Sequence, residues 1–230
     1  MPQPRPKPFE LDSARATYRE RSETQPHPRS ASVGSRLAAW REERMALQAL
    51  RIAGEPNLML DLCGSGRFWP LLTRHPNRLV LAADDPAGQL AQPHSAKPAE
   101  MAERICVLPI SAGAIDLGEN AVDSIFCMGL LQRIETVDRR LSMLREFHRV
   151  SRDTLILSLW VDGNYQAWRR KRSERRRAPI DPAGRQRTRC AVSREQIEAE
   201  FRSVGFNILS HLDLLPGIAM LRVYVLRKVP

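Results

Sequence analysis

From residue 58 onward, short apolar runs alternate with amphipathic stretches. The runs fall near residues 58–62, 78–83, 105–108, 122–128 and 154–160. Each has the length of a strand and is bounded by turn-forming residues. Between and after them, helical periodicity predicts helices near 68–74, 136–149 and 193–204. Ser193-Arg194-Glu195-Gln196 forms a capping box for the last of these, and Gly205 stops it. Asn207–Asp213 and Met220–Arg227 read as two closing strands around a Leu214–Ala219 turn. Ahead of this core, Ser35 can cap a helix from Arg36 to about Ile52, ended by Gly54. Leu37, Trp40, Leu47 and Leu50 lie roughly on one face of it. Alternating strand and helix predicts an α/β chain with a doubly wound sheet.

Candidate chemistry sits where the first strand ends. The run Leu58-Met59-Leu60-Asp61-Leu62 enters Cys63-Gly64-Ser65-Gly66-Arg67, which opens into Phe68-Trp69-Pro70-Leu71-Leu72. Strand, glycine-rich turn and helix in that order build a nucleotide site, because glycine lets the backbone approach a ligand and adopt positive φ. Asp84 closes the next apolar run about 20 residues on, where a carboxylate reaches ribose hydroxyls. The third glycine of a dinucleotide fingerprint is replaced by Trp69, which disfavours NAD and FAD. The chain has no G-x-x-x-x-G-K-[ST] run, so a P-loop is excluded. A ligand with a ribose and no pyrophosphate fits these residues.

Asp61-Leu62-Cys63-Gly64-Ser65-Gly66-Arg67-Phe68 resembles the first motif of class I S-adenosylmethionine-dependent methyltransferases, one residue short of its usual form. Ala82-Ala83-Asp84-Asp85, followed by Leu90, resembles the ribose motif of that family. Asn120–Met128 resembles its fourth strand, and Leu144–Val150 the helix before its fifth. The resemblance implies a Rossmann-like, seven-stranded, mostly parallel sheet with an antiparallel last strand and helices on both faces. It implies S-adenosyl-L-methionine as cofactor, held by Asp61, Cys63, Gly64, Ser65, Gly66, Arg67, Asp84 and Asp85. Ser111, Ala112 and Gly113 would border the adenine, and Cys127 and Met128 would floor the site. A helix after Asp84 is implied too, though Pro93 and Pro98 would interrupt it. The first helix, with Arg36, Trp40 and Arg44, would lie across the cofactor mouth. Methyl transfer from a sulfonium is an in-line displacement that needs positioning more than a fixed catalytic group, and no catalytic residue is assigned.

Charge refines the acceptor. The net charge of +10 is concentrated between Arg169 and Arg189, where ten Arg/Lys face two acids. This basic insertion, with Trp160 and Tyr165 beside it, would hold an anionic acceptor through residues such as Arg169 and Arg170. Arg36 and Trp40 would contribute from the first helix. A phosphorylated glycolipid, an acidic saccharide or a small molecule fits; RNA is the alternative, but a dedicated recognition fold is not visible. A third reading is a methyltransferase fold that binds without turnover. Residues 1–33, rich in proline, read as an arm ahead of a domain over 34–230. There is no secretory signal pattern, and the four cysteines are scattered, so a cytoplasmic setting is expected, with possible contact to an anionic membrane surface. Neither the cysteines nor the five histidines have metal-ligand spacing, and no metal is expected.

Overall fold

The computed structural model describes residues 33–62, 66–83, 103–108, 114–176 and 191–229. The elements run α1 (Val33–Ile52), β1 (Leu58–Asp61), α2 (Trp69–Leu72), β2 (Leu79–Ala83), β3 (Ile105–Leu108), β4 (Val122–Met128), α3 (Val137–Val150), β5 (Ser151–Val161), α4 (Tyr165–Arg176), β6 (Ala191–Val192), α5 (Arg194–Val204), β7 (Phe206–Asp213) and β8 (Leu221–Lys228). The expected arm lies outside the described residues except for Val33, which begins α1; the segment after Asp84 and residues 177–190 lie outside them too.

The strands form one sheet in the order β3-β2-β1-β4-β5-β8-β7, with the two-residue β6 paired to β5. The first five are parallel, and β8 is antiparallel to both β5 and β7. This is the expected seven-stranded sheet with one short added strand. The chain turns outward through β2 and β3, then returns to place β4 on the other side of β1. That reversal opens a crevice at the carboxyl ends of β1 and β4, where doubly wound sheets bind ligands.

Two apolar layers cover the sheet. Leu60, Ile125, Cys127, Leu155 and Leu157 meet Leu144 and Phe147 of α3 and Ile197 and Phe201 of α5. Met59, Phe126, Met128, Val223 and Val225 meet Met45, Ala49 and Leu50 of α1 and Trp69 and Leu72 of α2. Period-two alternation sends neighbouring strand residues to opposite layers. Hydrogen bonds outside the strands fix this frame. Asp123 Oδ2 accepts from the Leu58 amide at 2.9 Å and pins the entry of β1 beside β4. Arg149 donates to the carbonyls of Ile115 and Leu117, and Glu146 Oε2 accepts from the Ile115 amide at 3.2 Å. The helix motif around Leu144–Val150 therefore holds the loop that follows β3. The Arg149 guanidinium keeps the Glu146 carboxyl below the usual range, so this brace carries charge.

The helix boundaries show what local pattern misses. α1 starts at Val33, so Ser35 lies within it and not at its cap. Its buried face is Met45, Ala46, Ala49 and Leu50, while Leu37 and Trp40 are exposed. The cap of α5 is as expected: Ser193 Oγ accepts from the Gln196 amide, and Gly205 is left-handed at φ +99°. The last strands begin and end within a residue of their expected bounds.

Candidate functional site

At the carboxyl end of β1, Asp61 is 3% exposed. The regular register with β2 and β4 turns it to the same face as Met59. There the Trp69 indole donates to Asp61 Oδ2 at 3.0 Å, both groups being buried. The residue in place of a third glycine thus orients the acid that ends the first strand. A buried carboxylate is costly unless it is hydrogen-bonded, and this bond contributes to keeping it there. Gly66 is left-handed at φ +65°, and its carbonyl accepts from the Trp69 amide at 3.2 Å. This is the conformation that a turn between strand and helix requires of glycine.

Arg67 leaves that turn toward α1. Its Nη1 donates to Glu42 Oε2 at 2.7 Å, Nη2 reaches the Ala39 carbonyl at 3.3 Å, and the guanidinium lies 4.9 Å from the Phe68 ring centroid. Arg41 of α1 donates from Nε to the Leu214 carbonyl, tying the helix to the β7–β8 turn. α1 thereby crosses the carboxyl edge of the sheet. Between these pieces lies a cavity of about 330 Å³. Ala38, Ala39 and Glu42 wall it on one side, Trp160 and Gln166 on another, with Arg67 on the side of the β1 turn. Ser35, Leu214, Ala219 and Leu221 complete it.

α4 grows from local capping. Asn164 Oδ1 accepts from the Ala167 amide at 2.9 Å, closing the first turn. The Tyr165 and Gln166 amides donate to the Gly217 and Ile218 carbonyls, both at 3.0 Å, so the helix start is clamped to the β7–β8 turn. The sequence pattern read this stretch only as a basic insertion. The asparagine ahead of a run of arginines, which are good helix formers, was the available signal. Trp160, in register with Ala191 of β6 and Leu221 of β8, lines the cavity, and the Arg170 guanidinium lies 5.5 Å from its ring centroid.

The expected site residues divide as follows. Asp61, Gly66 and Arg67 gather at the end of β1. Met128, 7% exposed, shares the layer of Phe68 and Trp69. Cys127, fully buried, faces the α3–α5 layer instead. Trp160 lines the cavity, and Arg170 lies over its ring. Arg36, Trp40, Tyr165 and Arg169 are exposed on α1 and α4. Cys63, Gly64, Ser65, Asp84, Asp85, Ser111, Ala112 and Gly113 lie outside the described residues. Glu42 and Gln166, which sequence reasoning did not single out, join the cavity through tertiary contacts alone. Among the described residues, no group of three or more His, Cys, Asp or Glu is arranged to hold a metal ion. No described helix is long and apolar enough to cross a membrane.

Comparison with known proteins agrees with this frame. Residues 60–157, from β1 into β5, match a family model described as a methyltransferase domain. No curated protein matches the chain. Among solved structures, magnesium protoporphyrin IX methyltransferase from Synechocystis PCC 6803, with bound S-adenosylhomocysteine, is similar with a TM-score of 0.65 at 13% identity, covering 95% of this chain and 96% of that one. The Burkholderia thailandensis 1,6-didemethyltoxoflavin-N1-methyltransferase, bound to 1,6-didemethyltoxoflavin and S-adenosylhomocysteine, has a TM-score of 0.62 at 18% identity, covering 100% and 94%. A SAM-dependent methyltransferase from Methanosarcina mazei has a TM-score of 0.59 at 16% identity, covering 76% and 92%. Four motifs in order, the sheet order with its switch point and these solved structures agree on one conclusion: the chain has the fold of class I S-adenosylmethionine-dependent methyltransferases, and its residues 60–157 match a methyltransferase domain.

Proposed function

We propose that this domain transfers a methyl group from S-adenosylmethionine to an acceptor seated in the cavity beside Arg67, with anionic groups of that acceptor held at the α4 rim. The observation that carries the reading is adjacency: the buried Asp61 and left-handed Gly66 stand at the switch point, and Arg67 joins that edge to the cavity. The donor set suits the cofactor. A buried carboxylate accepts from a cationic amine, and a glycine turn admits a close ligand backbone. When bound, the cofactor supplies an already activated methyl group. The protein's part is to hold the acceptor in line and exclude water, which α1 does by closing over the sheet edge.

The cavity itself is mostly apolar, and its two charges, Arg67 and Glu42, are paired with each other. Its interior therefore suits an uncharged part of the acceptor. Phosphate or carboxylate groups belong outside, against Arg169 and Arg170, where solvent lowers the cost of charge. A second reading is binding without turnover, favoured by the missing glycine in Asp61-Leu62-Cys63-Gly64 and by Trp69 already engaging Asp61.

Calorimetry with S-adenosylmethionine, S-adenosylhomocysteine and NAD tests the donor side. Binding of both adenosyl ligands and no heat with NAD is expected; Asp61→Asn should weaken the adenosyl ligands by about 1.5–3 kcal/mol. Absence of adenosyl binding would refute the proposal. Labelled methyl donor with glycolipid extracts and total RNA then tests turnover. Label in the glycolipid is expected; label in RNA would refute the acceptor class, and no label with intact cofactor binding would favour the second reading.

A further inference from the structure

Eleven large hydrophobic side chains are exposed among the described residues, and six of them come from the elements that wall the cavity. On α1, Ala38 and Ala39 line the cavity while Leu37 and Trp40, beside them in sequence, are 60% and 50% exposed. On α4, Gln166 lines it while Tyr165 and Trp168 are 55% and 53% exposed. In the β7–β8 turn, Leu214 and Ala219 line it while Leu215 and Ile218 face solvent. Three separate segments thus repeat one arrangement: one residue inward, its neighbour outward and apolar. Scattered exposed apolar residues are ordinary; a collection around one opening is not.

Charge says what covers it. Tyr165, Trp168, Arg169 and Arg172 follow i, i+3, i+4, i+7 spacing, so they share the outward face of α4, opposite the buried Ala167. That face mixes aromatic rings with arginine and carries no acid. The Arg172 guanidinium lies 5.3 Å from the Trp168 centroid, and Arg44 lies 5.0 Å from that of Trp40. Aromatic rings and aliphatic side chains with arginines interleaved suit the headgroup boundary of a bilayer, where rings bury shallowly and guanidinium groups meet lipid phosphates. Single-stranded RNA fits less well. It needs ring faces free to stack on bases, whereas Trp168 already stacks on Tyr165 at 5.8 Å between centroids. Nor do Leu37, Leu215 and Ile218 give a base anything to stack on.

We propose that the rim formed by α1, the start of α4 and the β7–β8 turn is a docking surface for a bilayer carrying anionic lipid. The patch shares Arg169 with the proposed acceptor rim, but its readout is vesicle binding and not methyl transfer, so either proposal can fail alone. The test is co-sedimentation of the full chain with vesicles of phosphatidylcholine, with and without phosphatidylglycerol, and cofactor calorimetry on every variant as a check of fold. Binding is expected only with the anionic lipid, falling steeply with salt. Trp168→Ala with Tyr165→Ala, and separately Arg169→Ala with Arg172→Ala, should each weaken vesicle binding by roughly tenfold or more while leaving cofactor binding unchanged. No sedimentation with the anionic vesicles would overturn the proposal. So would sedimentation that both double variants leave intact, or, in a parallel titration with single-stranded RNA, a loss in those variants confined to RNA binding.

Discussion

Two regions of this molecule use arginine in opposite ways. Between α3 and α5, Arg140 donates from Nε and Nη2 to the two oxygens of Glu200, at 2.9 and 2.7 Å. Both side chains are almost fully buried, and the remaining Arg140 N–H groups reach the Ile134 and Glu135 carbonyls. Gln196 donates to the same Glu200, so each charge has several partners. At the cavity rim, Arg67 meets Glu42 at a similar 2.7 Å, but with 39% and 19% of the two side chains exposed. Arg44, Arg170 and Arg172 there lie over aromatic rings. Distance alone does not rank these contacts. Burial decides whether an arginine is part of the frame or remains available to a ligand.

The sharpest way to break the comparison is Arg140→Ala. It leaves Glu200 as an unbalanced buried charge and should cost about 3–5 kcal/mol in chemical denaturation. Cofactor and vesicle binding of the folded fraction should be unaffected. A loss under 1 kcal/mol would mean that water reaches the pair and that the two regions do not differ.

A smaller effect comes from pH on the same sealed side. His148, in the last turn of α3, packs edge-on to Phe206 at 5.1 Å between centroids. Burial, and then the Lys228 charge, hold its pKa below the ordinary value. The unfolded chain therefore takes up a proton near pH 6.5 while the folded chain still resists it. Stability is fully present above that value and falls as the pH drops through the folded pKa. Urea midpoints measured from neutrality downward should show this slope, and His148→Gln should flatten it. Glu146 acts in a lower window: its depressed pKa adds stability above the ordinary carboxylate range, lost on further acidification. An unchanged slope in His148→Gln would remove the histidine from this account.

The smallest stability effect is expected at the rim. Arg67→Gln should change unfolding free energy by about 0–1 kcal/mol, as exposed pairs do. Its effect should appear in the KM for acceptor, since Arg67 lines the cavity. A large stability loss would make Arg67 a frame residue and erase the contrast with Arg140.

The residue sequence by itself determined the strands, the switch from β1 to its glycine turn, the α5 caps and the closing β7–β8 pair. These are written in local period and turn chemistry, which act over a few residues. It also carried the resemblance of Asp61–Phe68, Ala82–Asp85, Asn120–Met128 and Leu144–Val150 to one family. Tertiary structure decided the rest. Trp69 displaces a fingerprint glycine in the sequence, but only the fold brings its indole to Asp61. Leu37 and Trp40 fit an apolar face with Leu47 and Leu50 in the sequence, yet the face that docks runs through Ala38, Ala39, Glu42, Met45, Ala46 and Ala49, which leaves Leu37 and Trp40 on the far side in solvent. Glu42, Gln166 and Leu214 become neighbours across more than a hundred residues of chain. Arg140 and Glu200 look like two surface charges in the sequence, and sixty residues separate them. Which charges are sealed and which stay open depends on helix docking across the sheet. That contact is long-range, and no local pattern encodes it.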